Sequence, residues 1–284
     1  MRVKLEKFLP LKERPQNSHK GTFGKILNIA GSKKYSGAAI LSSLAALKTG
    51  AGYLTLACPE NVVASVSSYT PDITFLPLKV LDNGSIEEEN IEFLTEKINE
   101  YNVVSIGCGL TCEKSVEKLV LKLLTSIKIP AVIDADGLNI LAISDFNKFD
   151  FPSVITPHPK ELARLLNVDV EKIQNSREEY CIKVAEKYNT VCVLKGHNTV
   201  ISNGKDVYIN KSGNSSLAKA GSGDVLTGII SSFIAQGYAI FQAAVLGVYL
   251  HGLCGEIASK ELTEYSVLAS DLIKYIPFGI KKLM

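Results

Sequence analysis

Short, nearly unbroken apolar runs alternate along this chain with longer stretches whose apolar residues recur every three or four positions. The runs are Lys25–Ala30, Tyr53–Ala57, Val103–Gly107, Ala131–Asp134, Ser153–Thr156 and Thr190–Lys195. Runs without polar alternation suit parallel strands covered on both faces. Between them, Ser36–Lys48 carries an Ala/Leu-rich face, and Ser176–Lys187 reads as a further helix. Glu113–Ser126 places Val116, Leu119, Val120, Leu123 and Leu124 on one side of a helix. Repeated β-α-β units predict an α/β fold: an open, mostly parallel sheet with helices on both faces. Beyond Lys195 the pattern changes. Thr199–Ser202 and Val207–Asn210 flank the turn pair Asn203-Gly204, which predicts a hairpin. Helices are then expected over Asp224–Gln236, Ala239–Ala258 and Leu268–Ile276. The whole of 1–284 reads as one domain.

Composition narrows the function classes. Of 284 residues, 46% are hydrophobic and 21% charged, and the net charge is only +2. With Lys and Arg scattered, neither nucleic acid nor an acidic membrane surface is an indicated partner. The six cysteines, Cys58, Cys108, Cys112, Cys181, Cys192 and Cys254, form no C-x-x-C pair. They read as small buried hydrophobes in a reducing compartment. Met1–Lys7 lacks the apolar core of a signal peptide, and no uncharged apolar run is read as reaching the ~20 residues of a membrane span. A cytoplasmic protein is the expectation. There is no H-E-x-x-H or other metal-ligand spacing, and no G-x-x-x-x-G-K-[ST] loop, so any nucleotide must be held in another way.

Ligands of open parallel sheets bind outside the carboxyl ends of the strands. Five predicted strand ends deliver polar or flexible residues there: Gly31-Ser32, Gly107-Cys108-Gly109, Asp134-Ala135-Asp136-Gly137, Thr156-Pro157-His158-Pro159 and Lys195-Gly196-His197-Asn198-Thr199. Together they point to a cleft for a large polar ligand. Gly221-Ser222-Gly223-Asp224 precedes an apolar helix, so its backbone can turn tightly and present free N–H groups as an anion hole of Gly221, Ser222 and Gly223. Its bland alternative is a helix cap by Ser222 or Asp224. His158 sits between Pro157 and Pro159 at a strand-to-helix corner; its alternative is a solvated or locally bonded turn residue. His19 is loop-like, and His251, in an apolar helix, reads as a satisfied core residue. Asp134 and Asp136 either hold magnesium or orient a substrate hydroxyl, or form a turn in which Asp136 caps Gly137–Ile143. Lys195 either meets phosphates as a point charge or faces solvent.

These motifs closely resemble those of the ADP/ATP-dependent NAD(P)H-hydrate dehydratases, within the ribokinase-like superfamily. The resemblance begins with His19-Lys20-Gly21-Thr22-Phe23-Gly24-Lys25, Ala30-Gly31-Ser32, Tyr35–Ala39 and Lys48–Gly52. It continues in order through Asp134–Asn139, Thr156–Pro159, Lys195-Gly196 and Gly221–Asp224. It implies a ribokinase-like fold and repair of (6S)-hydrated NADH and NADPH, with ADP (or ATP) and Mg2+ as cofactors and with AMP and phosphate released. It maps the presumed base to Asp224, hydrate contacts to Ala38, Gly109, His158 and Asp224, and nucleotide contacts to Lys195, Gly196, His197, Asn198, Thr199 and Gly223. It further implies a homotetramer and a separate epimerase acting on the same hydrates. The residues ahead of Lys25 are too few for the epimerase domain fused in front of many relatives, so that domain is expected to be absent. Gly213-Asn214-Ser215-Ser216 departs from the family's usual Gly-Asn-Pro-Gly. A small-molecule kinase acting on a hydroxymethylpyrimidine or thiazole alcohol would share the glycine turn but leave a stable phosphate ester. A silent nucleotide-binding module would be expected to have lost Asp224.

Overall fold

The computed structural model describes residues 1–284. Its nine-stranded sheet is built from β1 (Lys25–Ile29), β2 (Tyr53–Pro59), β3 (Thr74–Leu78), β4 (Val103–Ile106), β5 (Ala131–Ile133), β6 (Ser153–Ile155), β7 (Val191–Leu194), β8 (Val200–Ser202) and β9 (Val207–Ile209). The order is β3-β2-β1-β4-β5-β6-β7-β8-β9. Pairing is parallel from β3 to β7 and antiparallel through the β7–β8–β9 edge. Ile29, Ile106, Ile133 and Ile155 lie side by side across β1, β4, β5 and β6. These strands therefore stop at one level and release their following residues at one edge.

Alternation along each strand feeds two cores. Ile26, Val103, Val132, Val154 and Val193 face one. Leu27, Val104, Ile133, Ile155 and Leu194 face the other. The first core is closed by α1 (Ser36–Lys48), α9 (Ser222–Ala235), α10 (Ile240–Ser266) and α11 (Ala269–Lys281). The second is closed by α3 (Asn90–Ile98), α4 (Lys114–Ser126), α5 (Asp136–Ala142), α6 (Pro159–Leu166) and α8 (Arg177–Tyr188).

Several elements differ from the sequence reading. β3, α2 (Glu60–Ser67), α3 and α7 (Val170–Asn175) were not predicted. β3 is an edge strand that carries Pro77 and is only partly buried, so its pattern is faint. α10 runs beyond Ala258 to Ser266, with Thr263 bent out of helical geometry at φ 67°. By length and composition this helix could cross a membrane, contrary to the reading that no such run exists, yet 67% of its most apolar stretch is buried in the fold.

Candidate active site

The glycine turn is dictated locally. Gly221 has φ 88°, and a Cβ there would also meet the Leu41 Cδ1 atom at 2.5 Å, so only glycine fits. α9 starts at Ser222 and no side chain caps it, which sets aside the cap reading of Ser222 and Asp224. The Ser222 amide donates to the Lys219 carbonyl (3.2 Å) and the Val225 amide to that of Gly221 (3.2 Å). The Gly223 and Asp224 amides donate to no protein group. The anticipated anion hole changes in one member: the Ser222 N–H is spent on the turn itself, whereas the Gly221 amide ahead of the helix and the Gly223 and Asp224 amides of its first turn have no protein acceptor. They carry the positive end of a 14-residue helix.

Asp224 lies beside them. Burial, reinforced by the charge of Asp134, pushes its carboxyl up to about 7; the Cys108 thiol and Lys195 oppose this. Asp134, at the end of β5, is fully inside. Its carboxylate accepts from the Lys195 ammonium (2.7 Å) and from the Thr227 hydroxyl (2.8 Å). Burial works against its charge, but Lys195 and these hydrogen bonds hold it below the usual carboxylate range. Lys195 also lies 3.9 Å from Glu161. Burial alone would lower its pKa, and Asp134 and Glu161 more than offset this, so it stays cationic. Lys195 is therefore neither solvent-facing nor a free charge; half of its role is to neutralise Asp134.

His158 caps α6. Its Nδ1 accepts from the Glu161 amide (3.1 Å), and the Glu161 carboxylate accepts from the His158 amide (2.7 Å). Pro159 takes the first helical position, as the sequence implied. The histidine is both locally bonded and part of the site wall. Burial, more than the Lys195 charge, lowers its pKa. Burial also pushes Glu161 up to about 7.

A cavity of about 990 Å³ opens over β5–β7 and the glycine turn. Lys195, Gly196, His197, Asn198, Thr199, Gly223, Asp224 and His158 all line it. Its far wall, Asn210–Lys219, is pinned to α10: the Gly213 amide donates to Glu256 (2.7 Å) and Asn214 Nδ2 to the Ser259 hydroxyl (2.8 Å). Ala38 and Gly109 lie outside this cavity and against each other. A Cβ on Gly109 (φ 68°) would come within 2.9 Å of that of Ala38. Their corner follows β1 and β4, where the strand order reverses, the usual ligand crevice of such sheets. Cys108, next to Gly109, acts on the Asp224 carboxyl, which itself lines the cavity.

Two readings need correction, and a third gains a partner. Asp136 does not cap α5, whose N-cap is Ala135 at φ 48°; its carboxylate instead accepts from the Thr111 amide (2.8 Å) and Asn139 Nδ2 (3.3 Å). Asp134 is not a free ligand, being occupied by Lys195 and Thr227. His251 is the buried, satisfied residue the sequence implied, its partner being the Ser222 hydroxyl 3.0 Å from Nε2, and it also lines the cavity. Nothing in its apolar helix signalled this. His19 turns back on itself, Nδ1 accepting from the Gly21 amide (3.1 Å), and does not line the cavity. Thr227 and Glu161 were also missed, although Thr227 lies three residues, about one helical turn, beyond Asp224.

A mostly parallel sheet with a nucleotide-sized cavity at its carboxyl edge, and a buried acid in a glycine turn opening a helix, defines a ribokinase-like enzyme. A family model described as NAD(P)H-hydrate dehydratase matches residues 26–278, and the chain belongs to that family. It is 40% identical over 277 residues to a bifunctional NAD(P)H-hydrate repair enzyme of Moorella thermoacetica, covering 96% of this chain and 52% of the relative. The chain thus spans about half the length of that and similar curated relatives. It is 36% identical over 270 residues to an ADP-dependent (S)-NAD(P)H-hydrate dehydratase of Bacillus subtilis, covering 94% of this chain and 92% of the relative. The crystal structure of the Bacillus subtilis ADP/ATP-dependent NAD(P)H-hydrate dehydratase, co-crystallised with ATP/Mg2+, superposes with a TM-score of 0.85 at 34% identity, covering 99% of this chain and 98% of that one.

Proposed function

We propose that this chain dehydrates (6S)-hydrated NADH and NADPH at the expense of ADP, releasing the intact dinucleotide, AMP and phosphate. The observation that carries the reading is the placement of Asp224. Its carboxyl is raised to about 7, it opens a helix whose Gly223 and Asp224 amides have no protein partner, and it lines the large cavity while acting on Cys108, the neighbour of Gly109. The cavity suits the nucleotide, and the corner suits the hydrated ring. The naming of the Bacillus subtilis relative as ADP-dependent supports ADP as the donor.

The chemistry follows. Asp224 takes the proton of the ring hydroxyl as that oxygen attacks the terminal phosphorus of ADP. The new P–O bond forms as the bond to the AMP oxygen breaks. A base whose pKa lies near the working pH is suited to this, and such catalysis contributes ~10²–10⁴-fold. Charge developing on the transferring phosphoryl is met by the Gly223 and Asp224 amides. The ring nitrogen then expels phosphate, and loss of a proton from the neighbouring carbon restores the dihydropyridine. Lys195 is held in place by Asp134 beside the turn, within 3.4 Å of where a Cβ on Gly223 would sit, so it adds a fixed positive charge at the phosphate position.

No group of three His, Cys, Asp or Glu side chains stands together as a metal cage, and Asp134 and Asp136 are already bonded. The residues therefore do not fit a protein-held magnesium ion; an ion carried on the donor's phosphates suits them, and no step above uses it. The family resemblance extends the proposal to a homotetramer, testable by light scattering. The activity is tested by incubating the protein with (6S)-hydrated NADPH and either ADP or ATP. Recovery of the reduced-nicotinamide absorbance, with one AMP and one phosphate formed per NADPH, is expected with ADP. A stable phosphate ester, or no recovery with either donor, overturns the proposal.

A further inference from the structure

Ser222 interrupts the pattern of its turn. Its amide is committed to Lys219, yet its side chain is buried, lines the cavity, and has a single protein partner, His251 Nε2 at 3.0 Å. The imidazole comes from the middle of α10 and is itself only 8% exposed. Burial lowers its pKa to about 4, so the ring is neutral and carries one proton. A neutral imidazole donates from one ring nitrogen and accepts at the other, and a serine hydroxyl can do either. With the ring proton on the nitrogen facing Ser222, the serine oxygen accepts from it. The hydroxyl proton is then left without a protein acceptor. It belongs to the same turn as the free Gly223 and Asp224 amides and adjoins the same cavity.

We infer that His251 carries its proton on the nitrogen facing Ser222, that the Ser222 hydroxyl is thereby a third donor to the transferring phosphoryl group, and that His251 is the positioning residue that aims it. The inference rests on the proposed phosphoryl transfer and adds to it a side chain that serine or threonine supplies and alanine cannot. A backbone-only anion hole would be indifferent to the residue at this position. The single ring proton fixes the direction of the serine O–H, so replacing the imidazole leaves the hydroxyl free to rotate away from the phosphoryl oxygen. A donor of this kind acts on charge that develops in the transition state, so its loss falls on kcat rather than on nucleotide binding.

The test is a double-mutant cycle on the full chain with hydrated NADPH and ADP. Ser222→Ala is expected to lower kcat by about 10²-fold, the order for one lost oxyanion donor, with KM for ADP within about threefold. Ser222→Thr, which restores a hydroxyl, is expected to keep kcat within about threefold of wild type. His251→Leu is expected to lower kcat at least ~10-fold, and the double variant to be no slower than Ser222→Ala, because both changes remove one interaction. Full activity of Ser222→Ala, or losses that multiply in the double variant, overturns the inference. A second arm needs no turnover. AMP with orthovanadate, which mimics the phosphoryl in flight, should bind at least ~10-fold more weakly to Ser222→Ala than to wild type, while AMP alone binds equally. Equal affinity for the vanadate complex overturns the inference. Wild-type protein that binds this complex but does not recover NADPH overturns the proposed substrate and leaves the Ser222 donor supported.

Discussion

Replacing Asp224 with Asn should make the protein more stable while stopping its chemistry. The Asp224 carboxyl stands at about 7, against an ordinary aspartate value of 3.8, chiefly because burial strips water from its charged form. At about 1.4 kcal/mol for each tenfold change in protonation, ionising it in the folded state costs about 4 kcal/mol relative to the unfolded chain. The sign follows from proton binding. Below about pH 4 the group is neutral in both states and has no effect. As pH rises, the unfolded chain releases its proton first, and stability falls until the folded group also ionises near pH 7. Asparagine keeps the shape and never ionises. Its advantage over wild type should therefore be under about 2 kcal/mol at pH 5 and level off near 4 kcal/mol above pH 7. Glu161, also raised to about 7, titrates in both proteins and cancels in the difference. Urea unfolding at pH 5, 6, 7 and 8 measures this, and at a slope of about 3 kcal/mol/M the midpoint at pH 8 should rise by about 1 M or more. A variant no more stable than wild type at pH 8, or an advantage that does not grow with pH, would refute the argument that desolvation tunes this acid. Near-normal turnover by the variant would remove Asp224 from the role of base.

Lys195→Met should destabilise the fold by about 3–5 kcal/mol, because it leaves Asp134 ionised, buried and unpaired; adding Asp134→Asn should restore part of the loss, read by the same urea midpoints. Gly223→Ala puts a methyl 3.4 Å from the Lys195 ammonium and 3.6 Å from the Asp134 carboxylate, where phosphate is to approach. Calorimetry should show ADP binding weakened about tenfold or more, with stability unchanged or up to about 1 kcal/mol higher, as expected for alanine in a helix. His158→Ala removes the side-chain cap of α6 and should cost about 1 kcal/mol, read as a drop of about 2–4 °C in Tm, alongside weaker use of the hydrate.

Much of this molecule was legible because its signals are local. The buried parallel strands announce themselves as unbroken apolar runs, α1 was placed over Ser36–Lys48 as observed, and Pro157-His158-Pro159 fixes its own corner. The glycine turn was legible for the same reason. What escaped depends on partners distant in sequence. Asp134 and Lys195 are separated by 61 positions and meet only once β5 and β7 share a sheet. His251 and Ser222 meet because α10 crosses behind the start of α9, and an apolar helix gives no hint of which polar residue faces a neighbour. Asp136 looked like a cap because acids favour helix starts, but the strained backbone at Ala135 turns the chain so that the carboxylate reaches the Thr111 amide instead. The division of the site into a cavity and the separate Ala38–Gly109 corner follows from the order of strands, which no local pattern encodes.

The central claim is that the ring hydroxyl leaves as phosphate because Asp224 lets it attack ADP. It is tested most directly by following the oxygen. Hydrated NADPH labelled with ¹⁸O at the ring hydroxyl, turned over with ADP, should place the label in the released phosphate, none in water and none in AMP. Label recovered in water, with unlabelled phosphate, would mean that the hydroxyl departs without ever being phosphorylated, and would contradict the account.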